Sequence, residues 1–335
     1  MKALSACLCL LIVFATPVSA RVSASQIALV VNVNDTESRL IAAYYQKKRG
    51  IPKQNVIEVH FPANQSSINK DVFNKLYQQV KDQTPKAVQY YVLAWMQPFK
   101  VGCMSVTSAF AFGFDESFCA KGCKATHRSA YYNSDSEQPK DELDIRPAML
   151  LAGSSVQQVY DMIDRGVTAD GAKPTATAYL MNTSDKARNV RSRRYPAIME
   201  QLSDMINIEQ VDSDVLENKK DVMFYFTGKV KVDAIESNQY LPGAIADHLT
   251  SSGGRLTGSK QMSILRWLDA GATASYGTVV EPCAFTQKFP NPAIVIERYI
   301  KGESLIEAYW KSVAWPGQGV FVGEPLAAPY ADSVY

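Results

Sequence analysis

The sequence has little that would indicate a membrane-spanning or nucleic-acid-binding protein. After residue 20 no apolar run approaches the roughly 20 residues of a membrane span, so we expect no stable span in the mature protein. The net charge is only +2, and about +1 without the first 20 residues, which gives no indication of nucleic-acid binding. Repeats, coiled-coil heptads and low-complexity tracts are also absent, which favours a single domain.

The densest basic segment is 186–194 (KARNVRSRR), with five cations in nine residues and no aromatic residue between them. Nucleic-acid sites usually combine such charges with aromatic side chains. The segment is therefore more typical of a solvated helix start or of a loop that faces an anion.

The N-terminus has the pattern of a secretory signal peptide over residues 1–20. Lys2 precedes the apolar run 8–15, and the small-residue exit Val18-Ser19-Ala20 follows it. The run is too short for a transmembrane anchor. We therefore expect a mature chain that begins at Arg21 and is periplasmic or extracellular.

Four cysteines remain after residue 20, and they allow three complete pairings. We expect a bridge among Cys103, Cys119 and Cys123, which share one loop-like segment, and we expect Cys283 to be left unpaired. The spacing of Cys119, Cys123 and His127 raises the alternative of a zinc site, but it is not that of a common zinc knuckle. A disulfide in an exported protein explains it more simply, so no metal or cofactor is predicted.

The order of strands and helices predicts a parallel α/β sheet. Buried-strand patterns at 26–33, 55–60 and 87–95 alternate with helical patterns from Thr36 to the stop at Gly50 and over 68–83. Further on, the patterns predict a helix that begins at residue 156 and is ended by Gly166, strands over 176–181 and 222–226, and a helix over 195–206. The fold class is a three-layer α/β sandwich with a mostly parallel sheet.

Residues 97–146 interrupt this rhythm and are too long for an ordinary connection. We interpret 21–335 as one α/β domain with an insertion at about 97–146.

Reactive side chains concentrate in 241–285, which makes this the predicted site. His248 needs a partner from elsewhere, because the adjacent Asp247 points away from it in either a helix or a strand. The candidates are Cys283, Glu281 and Glu324, each near a predicted strand end, where ligands bind in open α/β sheets.

An enzyme hypothesis makes Cys283 the nucleophile and His248 its base. The alternative is that Cys283 is a disulfide partner or a small buried side chain, and that His248 is bound to a backbone carbonyl.

The segment 250–254 (TSSGG), with Ser251 and Ser252, contains the groups of an oxyanion or phosphate nest. It is equally typical of a helix end, and it lacks the lysine of a P-loop.

Long motifs give the chain a resemblance to a family of exported bacterial proteins found in species that carry exosortase. They include VVNVND, YYQKKRGIP, RPAMLLAG, LPGAIADHLTSSGG, GATASYGTVVEPCAF and GEPLAAP. This resemblance covers nearly all of the mature chain and implies no established activity.

The C-terminal half also resembles caspase-like peptidases of the gingipain branch. The resemblance rests on the pattern Gly302-x-Ser304-Leu305-x-Glu307-Ala308 followed by Gly-Glu-Pro-Leu. Those peptidases have His-Gly at one strand end and a cysteine at the next. Here the two positions hold Thr227-Gly228 and Asp247-His248.

The resemblance thus implies a catalytically degenerate domain that acts as a binding or accessory factor at the cell surface, with a protein or polysaccharide partner. Thr227, Gly228, Ser251, Ser252 and Glu324 are its predicted binding residues. The alternatives are a cysteine-type hydrolase and a carbohydrate-binding protein that uses aromatic side chains such as Trp315.

Overall fold

The computed structural model describes residues 22–120 and 122–332. The predicted signal peptide, 1–20, lies outside the described residues. The strands are β1 (Ile27–Asn32), β2 (Val56–Val59), β3 (Ser67–Ile68), β4 (Tyr90–Leu93), β5 (Lys100–Val101), β6 (Met104–Ser105), β7 (Ala148–Leu150), β8 (Thr177–Met181), β9 (Asn207–Val211), β10 (Val222–Thr227), β11 (Tyr240–His248), β12 (Ala274–Thr278) and β13 (Gly319–Gly323). The helices are α1 (Thr36–Arg49), α2 (Lys70–Gln83), α3 (Val106–Phe112), α4 (Pro139–Leu143), α5 (Val156–Ala169), α6 (Tyr195–Leu202), α7 (Leu265–Asp269), α8 (Pro292–Ile300) and α9 (Leu305–Lys311).

Ten strands form one sheet in the order β2-β1-β4-β7-β13-β12-β11-β10-β8-β9. Neighbouring strands are parallel except β12 and β13, which pair antiparallel. The sheet therefore consists of two parallel halves that run in opposite directions. We call β1, β2, β4, β7 and β13 the first half, and β8 to β12 the second half.

Both halves have the same strand order. Numbered along the chain within each half, the strands lie as 2-1-3-4-5, counted inward from the sheet edge. The fifth strand of the second half, β12, is the next strand after β11 in the sequence. The fifth strand of the first half is β13, which the chain adds only after it has completed the second half.

Helices cover both faces, which gives the predicted three layers. Helices α1, α5 and α7 lie on one face, where α1 packs on α5 and Trp267 of α7 meets Tyr225 of β10. Helices α2, α3, α6, α8 and α9 lie on the other, where Trp310 of α9 stacks on Phe321 of β13. The central strands are buried along their whole length, as the apolar runs predicted.

Helix α1 begins and ends where its sequence signals indicate. The Asp35 side chain caps it by accepting from the backbone N–H of Glu37 at 2.9 Å. Gly50 ends it in the left-handed conformation, with φ 65°.

Helix α5 corrects the prediction that Gly166 ends it, because the helix continues to Ala169. Gly166 is needed for space: a Cβ there would lie 2.4 Å from an oxygen of the buried Glu324 carboxylate.

The segment 97–146 contains the short strands β5 and β6, which join β3 in a second sheet, together with α3 and α4. Helix α3 packs against β7 and β13. The segment is thus built onto the sheet at the junction of the two halves.

No helix in the described parts of the chain is both long enough and apolar enough to cross a lipid bilayer.

Candidate functional site

The carboxyl ends of β8, β10, β11 and β12 lie together, and we call this boundary the second-half edge. β10 ends at Thr227, β11 at His248 and β12 at Thr278. Thr227 is the register partner of His248. Because ligands bind beyond the carboxyl ends of strands in open α/β sheets, the predicted site residues should meet here.

His248 is fully buried, and both of its ring nitrogens are used inside the protein. The indole N–H of Trp267 donates to Nδ1 at 2.9 Å. An indole can only donate, so the imidazole proton lies on Nε2 and is donated to the Met262 carbonyl oxygen at 3.1 Å. Burial lowers the pKa of His248 to about 4, and the positive charge of Arg191 acts in the same direction. This neutral imidazole cannot act as a general base without breaking one of its hydrogen bonds.

Asp247 packs on the opposite face of the sheet from His248, as expected for adjacent strand residues. Its Oδ1 lies 2.6 Å from Nη2 of Arg191, and the two side chains are only 1% and 4% exposed. The same guanidinium nitrogen donates to the Thr227 carbonyl oxygen at 2.6 Å. Burial raises the pKa of the Asp247 carboxyl, and Arg191 opposes the rise. The ends of β10 and β11 are thus joined through one buried arginine.

Thr227 and Gly228 form a closed strand end and not an open cleft. The Thr227 side chain is 1% exposed. A Cβ on Gly228 would lie 2.2 Å from the Arg188 carbonyl oxygen, so the two backbone segments are in direct contact. The Thr183 hydroxyl donates to the Gly228 carbonyl oxygen at 2.9 Å.

Cys283 is bonded to Cys123, and Cys103 is bonded to Cys119. The predicted bridge within the first three cysteines is confirmed, but the prediction that Cys283 is unpaired is wrong. The reason is spatial: the loop that carries Cys123 reaches the turn after β12. A disulfide sulfur is not a thiolate. Cys283 therefore cannot act as a nucleophile beside His248, and Cys119 and Cys123 cannot bind zinc as thiolates.

Three of the predicted residues do meet, around a small cavity of about 180 Å³. Ser251, Glu281 and Cys283 line it together with Arg188. The Glu281 Oε1 accepts from the backbone N–H of Cys283 at 2.8 Å, where the backbone has φ 51°. Glu281 therefore shapes the turn that carries the disulfide.

The turn 250–254 is neither a helix end nor an open nest. The backbone N–H of Ser252 donates to a glutamine side chain at 2.8 Å, and that of Gly254 donates to the Thr278 carbonyl oxygen at 3.0 Å. A Cβ on Gly254 would lie 2.2 Å from the carbonyl oxygen of Gly277. These backbone groups hold the turn against β12.

Glu324 is the predicted residue that the structure places elsewhere. It follows β13, which runs against the second half, and its N–H donates to the Thr273 carbonyl oxygen at 3.2 Å. Thr273 lies beside Ala244 of β11, which is four residues, or roughly 13 Å, before His248 along that strand. There the Glu324 carboxylate pairs with Arg49 and accepts from the Tyr45 hydroxyl at 2.9 Å. It stabilises the helix packing on that face and cannot orient His248.

No family model, curated protein or solved structure matches the chain. The function has therefore to be inferred from the site itself, and the two family resemblances remain predictions.

A cavity of about 350 Å³ lies beside the second-half edge, and the sequence analysis does not predict it. We call it the arginine pocket. It lies between the start of α6, the segment 286–292 and the turns at 128–132 and 312–315. Its lining includes three arginines and three aromatic side chains: Arg128, Arg191, Arg194, Tyr132, Phe289 and Trp315.

Two parts of this pocket had a sequence signal. The basic segment 186–194 supplies Arg191 and Arg194, and the structure makes it a helix start: the 3-10 turn Asn189–Arg194 leads directly into α6. Trp315 is the aromatic residue that the sequence analysis names for the carbohydrate-binding alternative. What the sequence did not indicate is that these two segments, far apart in the chain, meet at one cavity.

Proposed function

We propose that the protein is an exported binding or accessory factor without peptidase activity. The observation that carries this proposal is that the groups at the predicted catalytic positions are all engaged internally. His248 has both ring nitrogens bonded, Asp247 is paired with Arg191, and Cys283 is in a disulfide. Nucleophilic catalysis needs a free nucleophile within reach of a free base.

Two features support export. The first 20 residues have the composition of a signal peptide. The two disulfides are of the kind that forms in oxidising compartments such as the periplasm or the cell exterior. A place at the cell surface, with a protein or polysaccharide partner, follows from the resemblance to exported bacterial proteins and is part of the proposal.

The test is peptide hydrolysis by the oxidised protein, measured on a mixed peptide library by mass spectrometry. We expect no turnover for the wild type or for a Cys123→Ser variant, in which Cys283 becomes a free thiol. Hydrolysis by either protein that is lost on His248→Gln would overturn the proposal, because it would show that the imidazole can leave its internal partners.

A further inference from the structure

Building on the proposed binding function, we propose that the arginine pocket binds an acidic saccharide unit, with its carboxylate held by the arginines and its ring against Trp315. The proposal concerns a site and its ligand chemistry, and it involves no covalent step. It rests on the charge, the burial and the composition of the cavity.

The charge of the pocket is one-sided. Its lining contains three arginines and no aspartate or glutamate. Arg128 and Arg194 are exposed, and neither forms an ion pair with a carboxylate of the described residues. Only Arg191 has such a partner, Asp247, below the cavity. The excess of positive charge attracts an anion, and a guanidinium binds a carboxylate through two parallel hydrogen bonds.

The Arg191 side chain gives the pocket a fixed, buried cation. It is 4% exposed, it is held by Asp247 and by the carbonyl oxygens of Thr227 and Pro290, and its Nε has no hydrogen-bond partner among the described residues. A buried N–H without a partner is costly unless a water or a ligand satisfies it. Rigid support of this kind distinguishes the pocket from a patch of surface arginines.

The rest of the lining suits a ring that carries hydroxyl groups. Trp315 is half-buried and contacts Phe285 edge-on at 5.6 Å, while Tyr132 lies under the Arg128 guanidinium at 5.0 Å. The lining also contains the Thr286 hydroxyl and the exposed Gln287 amide, whereas the Asn291 side chain is used to cap α8. Aromatic faces bind the apolar face of a sugar ring, and short polar side chains bind its hydroxyls.

A peptide bound by strand addition is a poorer match for this cavity. In that mode an extended peptide adds a strand to an open sheet edge. The open edges of the large sheet are β2 and β9, and neither strand lines the pocket. At about 350 Å³ the cavity is at the small end of ligand sites, so it fits the end unit of a chain and not a long stretch of it.

The experiment is titration calorimetry of the oxidised wild type with digalacturonic acid, with neutral galactobiose as the matched ligand. We expect saturable binding of the acid alone. Affinity should fall about tenfold or more in Arg194→Gln, because a charge-assisted hydrogen bond is lost, and should fall comparably in Trp315→Ala. Arg193→Gln is the control, since Arg193 is exposed, adjacent in sequence and outside the pocket lining. Melting curves of each variant establish that it is folded.

The inference would be overturned by no saturable binding of digalacturonic acid, by equal binding of galactobiose, or by an equal loss in Arg193→Gln. Inorganic phosphate that displaces the sugar acid at equal concentration would also overturn it, since the site would then hold any anion. Each result is distinguishable from a failure of the proposed function, because the absence of peptidase activity is tested separately by His248-dependent peptide hydrolysis.

Discussion

Lowering the pH from 7 to 4 should destabilise the protein through His248. In the folded state its pKa is about 4, whereas the usual value is 6.5. Between pH 6.5 and pH 4, His248 is therefore protonated in the unfolded chain but not in the folded protein. The free energy of unfolding falls as the pH falls through this range. At about 1.4 kcal/mol per pH unit, the loss by pH 4 amounts to about 3 kcal/mol. Protonation of Nδ1 would also break the bond that it accepts from Trp267.

The measurement is urea unfolding, followed by tryptophan fluorescence at a series of pH values, for the wild type and His248→Gln. Glutamine cannot titrate, so the difference in free energy of unfolding between the two proteins should decrease by about 3 kcal/mol from pH 7 to pH 4. The comparison is needed because Glu307, whose pKa burial raises to about 7, gives a contribution of the opposite sign in the same range.

The control is His60→Gln, because His60 is exposed. A constant difference between wild type and His248→Gln across the range would refute the buried, neutral imidazole, and so would an equal change in His60→Gln.

Three further sets of substitutions test the buried ion pair, the packing at Gly166 and the disulfide. Asp247→Ala should cost about 3–5 kcal/mol of unfolding free energy, because it leaves Arg191 charged and unpaired, and adding Arg191→Met should recover part of that loss in urea unfolding. Gly166→Ala should lower the melting temperature even though alanine favours a helix by about 1 kcal/mol, because its Cβ would collide with a buried carboxylate; a rise would contradict the clash. Replacing Cys123 and Cys283 together by serine should cost about 2–5 kcal/mol in chemical unfolding, and an unchanged midpoint would argue against the bridge.

The sequence predicted what short-range signals determine. Helix α1 has its cap at Asp35 and its stop at Gly50, and strands such as β1 and β10 are continuous apolar runs. Each of these depends on neighbouring residues, so a pattern can indicate it. The α/β class followed from the alternation of such segments.

What the sequence did not indicate depends on contacts between distant residues. The direction of the second half follows from the pairing of β13 with both β7 and β12, and without it Glu324 was assigned to the wrong edge. The prediction that Gly166 ends a helix is wrong because the residue that requires a glycine there, Glu324, lies more than 150 residues later in the sequence. Cys283 pairs with a cysteine 160 residues earlier, a partner that counting cysteines cannot select.

The position of β13 near the end of the sequence limits the order in which the sheet can assemble. The first half is made first, yet its fifth strand comes from residues 319–323, after every strand of the second half. Until β13 is in place, β7 and β12 each present an unpaired backbone edge of the kind that joins other chains. The N-terminal half therefore cannot complete its part of the sheet before the C-terminal segment has folded, and a chain truncated before residue 319 would have two unpaired strand edges, on β7 and β12.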